Sequence, residues 1–208
     1  MDKSFQGLAY WAGYQGIRFA RHPLREIAVV TELACLLDGL SHCKKGCVRV
    51  ECEKTFSSIL GEGAFIPDMY RRNRVDLALF AKDGSAVKLI MEVKVFDGKI
   101  PFRKSEGWHE DLRRLYWLKS QCEELETRLV ILTMQPLPAA WLSGKSRAVR
   151  SEQVHPELGV NFKVRRVLRA LPYLPGLDEE KNIRLNAGPC VVVLEPSHGC
   201  ALPNGHLD

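Results

Sequence analysis

No run of about 18 consecutive apolar residues occurs in this chain, so no segment has the length and composition of a membrane-spanning helix. The first residues, Met1 to Arg21, are aromatic and contain glycine. They lack an uninterrupted apolar stretch and do not read as a secretory signal. The expected address is therefore cytoplasmic, with no membrane partner. Internal repeats, low-complexity segments and an evident linker are also missing, which excludes repeat and disordered architectures. The seven cysteines are an odd number, which does not suit a secreted disulfide framework, and most are expected as thiols. A zinc reading would use His42, Cys43, Cys47 and Cys52, completed by Cys190, His198 and Cys200 folding back. The spacing lacks a matching second pair at close range, so thiols on a loop and a strand are the simpler reading.

What is present is an ordinary globular composition. The chain has 208 residues, of which 46% are hydrophobic and 26% charged, and its formal net charge is +5. That length suits one domain over residues 1–208, able to bury a core without metal or disulfide staples. The mild positive charge suits a polyanionic partner without demonstrating one.

Periodicity divides the chain. Ile27, Val30, Ala34 and Leu37 recur at helical intervals and predict a helix from Leu24 to Leu40. Val48, Val50 and Cys52 alternate with Arg49, Glu51 and Glu53, as in a half-buried strand. Residues Phe56 to Tyr70 hold two glycines and a proline and read as a long loop. Val75 to Phe80 and Val87 to Phe96 read as two strands joined by a turn centred on Asp83-Gly84. A helix from Trp108 to Cys122 follows, then a strand from Arg128 to Met134. Beyond it, Lys163 to Leu171 reads as a helix and Cys190 to Glu195 as a strand, and the Gly- and Pro-rich residues from Pro196 onward read as loose.

Three ionisable residues interrupt the paired apolar strands. Glu92 and Lys94 are two apart and project from one face of their strand, while Asp76 lies on the partner strand. Charge buried without a partner costs several kcal/mol. A divalent cation between Asp76 and Glu92 would compensate, because carboxylate oxygens suit magnesium or manganese. Lys94 would then orient the attacking water and offset charge developing on a phosphate. The plainer reading of the same residues is a salt-bridged strand surface.

The element order helix, strand, strand, strand, helix, strand and the D-x15-E-V-K spacing from Asp76 to Lys94 resemble the PD-(D/E)xK nuclease superfamily. The resemblance covers roughly residues 24–134 and leaves 135–208 as a C-terminal extension. It implies an α/β fold with a restriction-endonuclease-like αβββαβ core, a mixed central sheet flanked by helices. It also implies a Mg2+- or Mn2+-dependent hydrolase of phosphodiesters, most readily of DNA. By resemblance, Asp76 and Glu92 are metal ligands, Val93 supplies a main-chain carbonyl ligand, and Lys94 is the catalytic lysine. A helix glutamate completes the set. Glu26 is preferred to Glu32, because it projects between Val30 and Leu33 on the apolar side of its helix. A literal Pro67-Asp68 pair lies upstream in the loop, and strand placement favours Asp76 over it. The glutamine of the second helix in many relatives has Asp111 or Gln121 as its nearest counterpart.

Basic residues flank the motif. Arg71, Arg72 and Arg74 lead into the first site strand, Lys99, Arg103 and Lys104 follow the second, and Arg113 and Arg114 lie on the next helix. Arg71, Arg72, Arg74, Arg103 and Lys104 are the expected nucleic-acid contacts. Lys163, Arg165, Arg166 and Arg169 form a second basic group, and Trp108, Trp117 and Trp141 are candidates for base stacking or for the core. A homodimer would serve cleavage of two strands. The alternative function is a nuclease-like scaffold without activity, acting as a nucleic-acid-binding or assembly module.

Overall fold

The computed structural model describes residues 1–18, 24–42, 49–81, 83–84, 86–96, 107–133, 151–155, 160–170 and 189–197. Its elements run α1 (Asp2–Arg18), α2 (Glu26–His42), β1 (Arg49–Thr55), α3 (Phe56–Leu60), β2 (Arg74–Phe80), β3 (Val87–Phe96), α4 (Gly107–Gln121), β4 (Glu126–Thr133), β5 (Ser151–His155), β6 (Val160–Arg169) and β7 (Cys190–Pro196). The class is α/β. One seven-stranded sheet has the order β1-β2-β3-β4-β7-β6-β5. It is mixed: β3 and β4 run parallel, joined through α4, and the other neighbours are antiparallel.

Strand alternation decides which layer each side chain enters. On one face Ala78, Ile90, Leu129, Ile131, Val192 and Leu194 pack against Trp108, Leu112, Leu115 and Leu118 of α4. On the other, Leu77, Met91, Val93, Val130, Leu132, Val191 and Val193 pack against α1 and α2. Both faces are covered, so Leu129 to Leu132 of β4 and Val191 to Leu194 of β7 are continuous apolar runs rather than alternating. Trp108 and Trp117 belong to this interior and are not available to stack on bases. Trp141 lies outside the described residues.

Several sequence expectations need correction. The stripe that α2 buries is Val29, Val30, Leu33 and Leu37, whereas Ile27 is 62% exposed. At about 100° per residue Ile27 falls well away from the centre of that stripe, and Glu26 falls close to it. Phe56 to Leu60 is a short helix rather than loop. Thr55 caps it, accepting the Ser58 N–H at 3.3 Å, and Phe56 anchors it in the core. The segment expected as a helix from Lys163 lies in strand β6. Phe162, Val164 and Val167 meet the same core, and a register shift between Val164 and Arg166 breaks the alternation. That irregularity turns a period of two into a mixed pattern that imitates a helix. Its outward basic residues do not form a helical stripe: Arg165 pairs with Glu195, and Arg166 with Asp2 at 3.0 Å.

Helix α1 packs on the same side of the sheet as α2. It buries Phe5 and Leu8 beside the small Ala9 and Ala12. At Gly13 an added Cβ would lie 2.7 Å from the Ala170 Cβ at the end of β6, closer than packed carbons can sit. A methyl there is expected to overpack, at a cost of about 1–3 kcal/mol. The gain of about 1 kcal/mol in helix propensity offsets part of that. Gly13→Ala should therefore lower stability in urea unfolding, and Ala170→Gly in the same chain should restore it. A Gly13→Ala protein more stable than wild type would show that α1 does not press on Ala170.

Candidate functional site

Past a register shift between Phe80 and Leu79, the β2–β3 ladder runs regularly to Leu77 opposite Met91. One step further the same register sets Asp76 across from Glu92. There the Val93 N–H donates to Asp76 Oδ2 at 2.6 Å. The side chain thus takes up a main-chain donor where strand pairing ends. Asp76 and Glu92 project from the face that α4 covers, the face of Ala78 and Ile90.

Glu92 is 3% exposed. Burial pushes its carboxyl up to about 8, and the neighbouring Asp76 pushes in the same direction, while Arg114 and Lys94 pull against them. Its Oε1 is buried and accepts no hydrogen bond. The nearest cation, Arg114 Nη2, stands at 3.8 Å, within ion-pair range but beyond a hydrogen bond.

Lys94 projects from the same side of β3. Its Nζ lies 3.3 Å from Glu26 Oε1 and 3.3 Å from Asp111 Oδ2. The first contact is hydrogen-bonded; the second is a charge contact without hydrogen-bond alignment. Glu26 opens α2, with its side chain on the helix's buried side, and reaches Lys94 where α2 meets the sheet. Burial raises its pKa, Lys94 opposes that most strongly, and Asp76 adds to the rise. Among the described residues, Glu26 and Asp111, and not Glu32, pair with Lys94.

Asp111 is 2% exposed within the apolar side of α4. One of its oxygens faces Lys94, and the other is paired with Arg114 one turn along the same helix. Sequence reasoning had Asp111 only as a nominal counterpart of a helix glutamine, and Arg114 only as a flanking cation. The available signal was a carboxylate among Trp108, Leu112 and Leu115, which needs a compensating partner. Gln121 is exposed and bonds Ser120 at 3.2 Å, so it takes no part.

Four carboxylates (Glu26, Asp76, Glu92, Asp111) therefore surround two cations (Lys94, Arg114). Fully ionised, the group carries −2, the charge that one divalent cation would cancel. Asp76 and Glu92 present oxygens with spare acceptor capacity, and Val93 lies between Glu92 and Lys94 on β3 as a source of a main-chain carbonyl. Among the described residues, no group of three or more His, Cys, Asp and Glu side chains is set to hold a metal ion. A cation here would rest on two carboxylates completed by main-chain or solvent oxygens, because Lys94 engages Glu26.

The basic residues divide. Arg71, Arg72 and Arg74 are exposed, and Arg71 pairs with Asp68 at 3.2 Å. Arg74 shares a strand face with Asp76, two residues nearer the entry to β2. Lys99, Arg103 and Lys104 lie outside the described residues, as do Cys43, Cys47, His198 and Cys200. Cys52 on edge strand β1 and Cys190 on β7 are separated by three strands, so they cannot share a zinc ion.

The carboxylate cluster has a pH signature in metal-free protein. Native Glu92 keeps its proton up to about pH 8, whereas the unfolded chain releases it near 4.5. The stability this confers is complete below that lower value and is lost as pH rises through the upper one. The slope reaches at most about 1.4 kcal/mol per pH unit. In EDTA, wild-type stability should decline between roughly pH 5 and 8, and Glu92→Gln should flatten that decline. An unchanged slope in Glu92→Gln would mean that Glu92 does not bury a proton.

Comparison with protein-family models, with curated proteins and with solved structures finds no match to this chain.

Proposed function

We propose that this chain is a Mg2+- or Mn2+-dependent nuclease of the PD-(D/E)xK type, hydrolysing phosphodiesters in nucleic acid, most readily DNA. The observation that carries the reading is the buried Glu92 carboxylate beside Asp76, with an oxygen that no hydrogen bond satisfies. Support also comes from the order α2-β1-β2-β3-α4-β4, which follows the restriction-endonuclease-like αβββαβ core with α3 added.

Asp76, Glu92 and the Val93 carbonyl would hold the cation, which supplies charge compensation and lowers the pKa of a coordinated water. The Val93 N–H fixes Asp76, so one ligand is oriented in advance. Lys94, steadied by Glu26 and Asp111, would place its ammonium beside the attacking water and the phosphate oxygens, where negative charge grows. Exposed Arg74, with Arg71 and Arg72 beyond it, would contact the backbone on either side of the scissile bond. Arg103 and Lys104 are proposed as further contacts on the strength of sequence alone. A homodimer would serve double-strand cleavage.

The double engagement of Lys94 by Glu26 and Asp111 favours a second reading, an ion-paired scaffold that binds nucleic acid without cutting it. Purified protein incubated with single- and double-stranded DNA and RNA, with Mg2+, Mn2+ or EDTA, separates the two. Cleavage that needs the cation and falls at least about a hundredfold in both Asp76→Ala and Lys94→Ala is expected. Binding without cleavage under every metal condition would select the scaffold.

A further inference from the structure

Arg114 sits among carboxylates it does not fully satisfy. It is paired with Asp111, stands 3.8 Å from Glu92 Oε1, and its Nε is buried without a hydrogen-bond partner. A guanidinium has five donors, and these contacts engage few of them. The side chain is 20% exposed, so part of it meets solvent at the site. Asp111 meanwhile divides one carboxylate between Arg114 and Lys94, within a group where four carboxyl groups face two cations.

Entry of a divalent cation would change this balance. With Asp76 and Glu92 engaged by the cation, Glu92 would no longer draw on Arg114. The guanidinium would then have one counter-ion, Asp111, which Lys94 also claims. A phosphodiester offers what Asp111 offers, two oxygens that share one negative charge and can accept from a guanidinium fork. We infer that Arg114 is a ligand of the substrate phosphate, and that Asp111 is the internal counter-ion holding it in place until the phosphate replaces it. The inference rests on the nuclease reading and adds to it a residue outside the D-x15-E-V-K motif.

Substrate binding can be read apart from cleavage, with calcium in place of magnesium and fluorescently labelled DNA oligonucleotides followed by anisotropy across a salt series. Loss of one phosphate contact lowers the slope of log K against log salt by about 0.9 on duplex and about 0.7 on single strands. Arg114→Ala should show that fall, and Arg114→Lys should recover most of the slope. Asp111→Asn removes the competing carboxylate and should tighten binding several-fold, with a smaller gain when Arg114 is already alanine. A merely structural Arg114–Asp111 pair predicts the opposite sign, because loss of either partner would loosen α4 and weaken binding. Thermal melts of each variant confirm that a folded protein is being compared. If wild type binds and Arg114→Ala binds with the same affinity and slope, the inference fails and the nuclease reading stands. If wild type shows no affinity for any oligonucleotide, with or without calcium, both fail together.

Discussion

Placing Glu92 next to Asp76 in the interior sets two like charges in a poorly solvated corner, and the organisation of the site follows from that one repulsion. Asp76 raises the cost of ionising the buried Glu92, and strand β3 cannot relieve it, because its pairing with β2 on one side and β4 on the other fixes the backbone. Relief has to come from the cations around the pair. Arg114 arrives from α4 on one face of the sheet. Lys94, from β3 itself, is held between Asp111 of α4 and Glu26 at the start of α2. Two helices on opposite faces of the sheet are thereby tied to one pair of carboxylates. Even so, four carboxyl groups face two cations, Glu92 holds its proton up to about pH 8, and one of its oxygens is left without a hydrogen bond. An unsatisfied buried carboxyl of this kind is costly in a purely structural network and useful in one that binds a cation.

The part of this arrangement legible in the sequence was the part that depends on period. Alternation gave strand β3 its observed bounds, Val87–Phe96, and put Glu92 and Lys94 on one face. The Asp83-Gly84 turn was recognisable because glycine accepts the positive φ of 71° found at Gly84. Glu26 was separable from Glu32 by projection, since a carboxylate in line with Val30 and Leu33 needs a partner. Asp111 obeys the same rule on α4. It was passed over because the partner it needs, Lys94, comes from a strand rather than from its own helix.

Other features were hidden for physical reasons. Helix α1 buries Phe5 and Leu8 beside small Ala9, Ala12 and Gly13, and the small residues give little amphipathic signal. Strand β6 loses its period at a bulge, and its basic outward positions resemble the polar side of a helix. The segment expected as an extension supplies β5, β6 and β7, and β7 pairs directly with β4. It widens the same sheet on the side away from Asp76, and its burial covers the β4 edge that would otherwise lie open. The carboxylates thus lie between β2 and β3, on the opposite side of β4 from the added strands.

The claim on which everything else turns is that the Asp76–Glu92 pair is a cation site. Calorimetric titration of manganese into the purified chain near pH 7.5, repeated in two buffers of different ionisation enthalpy, addresses it without assuming any substrate. One saturable site is expected, with protons released as Glu92 ionises, and with affinity at least about tenfold lower in both Asp76→Asn and Glu92→Gln. Absence of saturable binding, or binding that neither substitution disturbs, would contradict the account and leave the cluster as a strained ion-pair network.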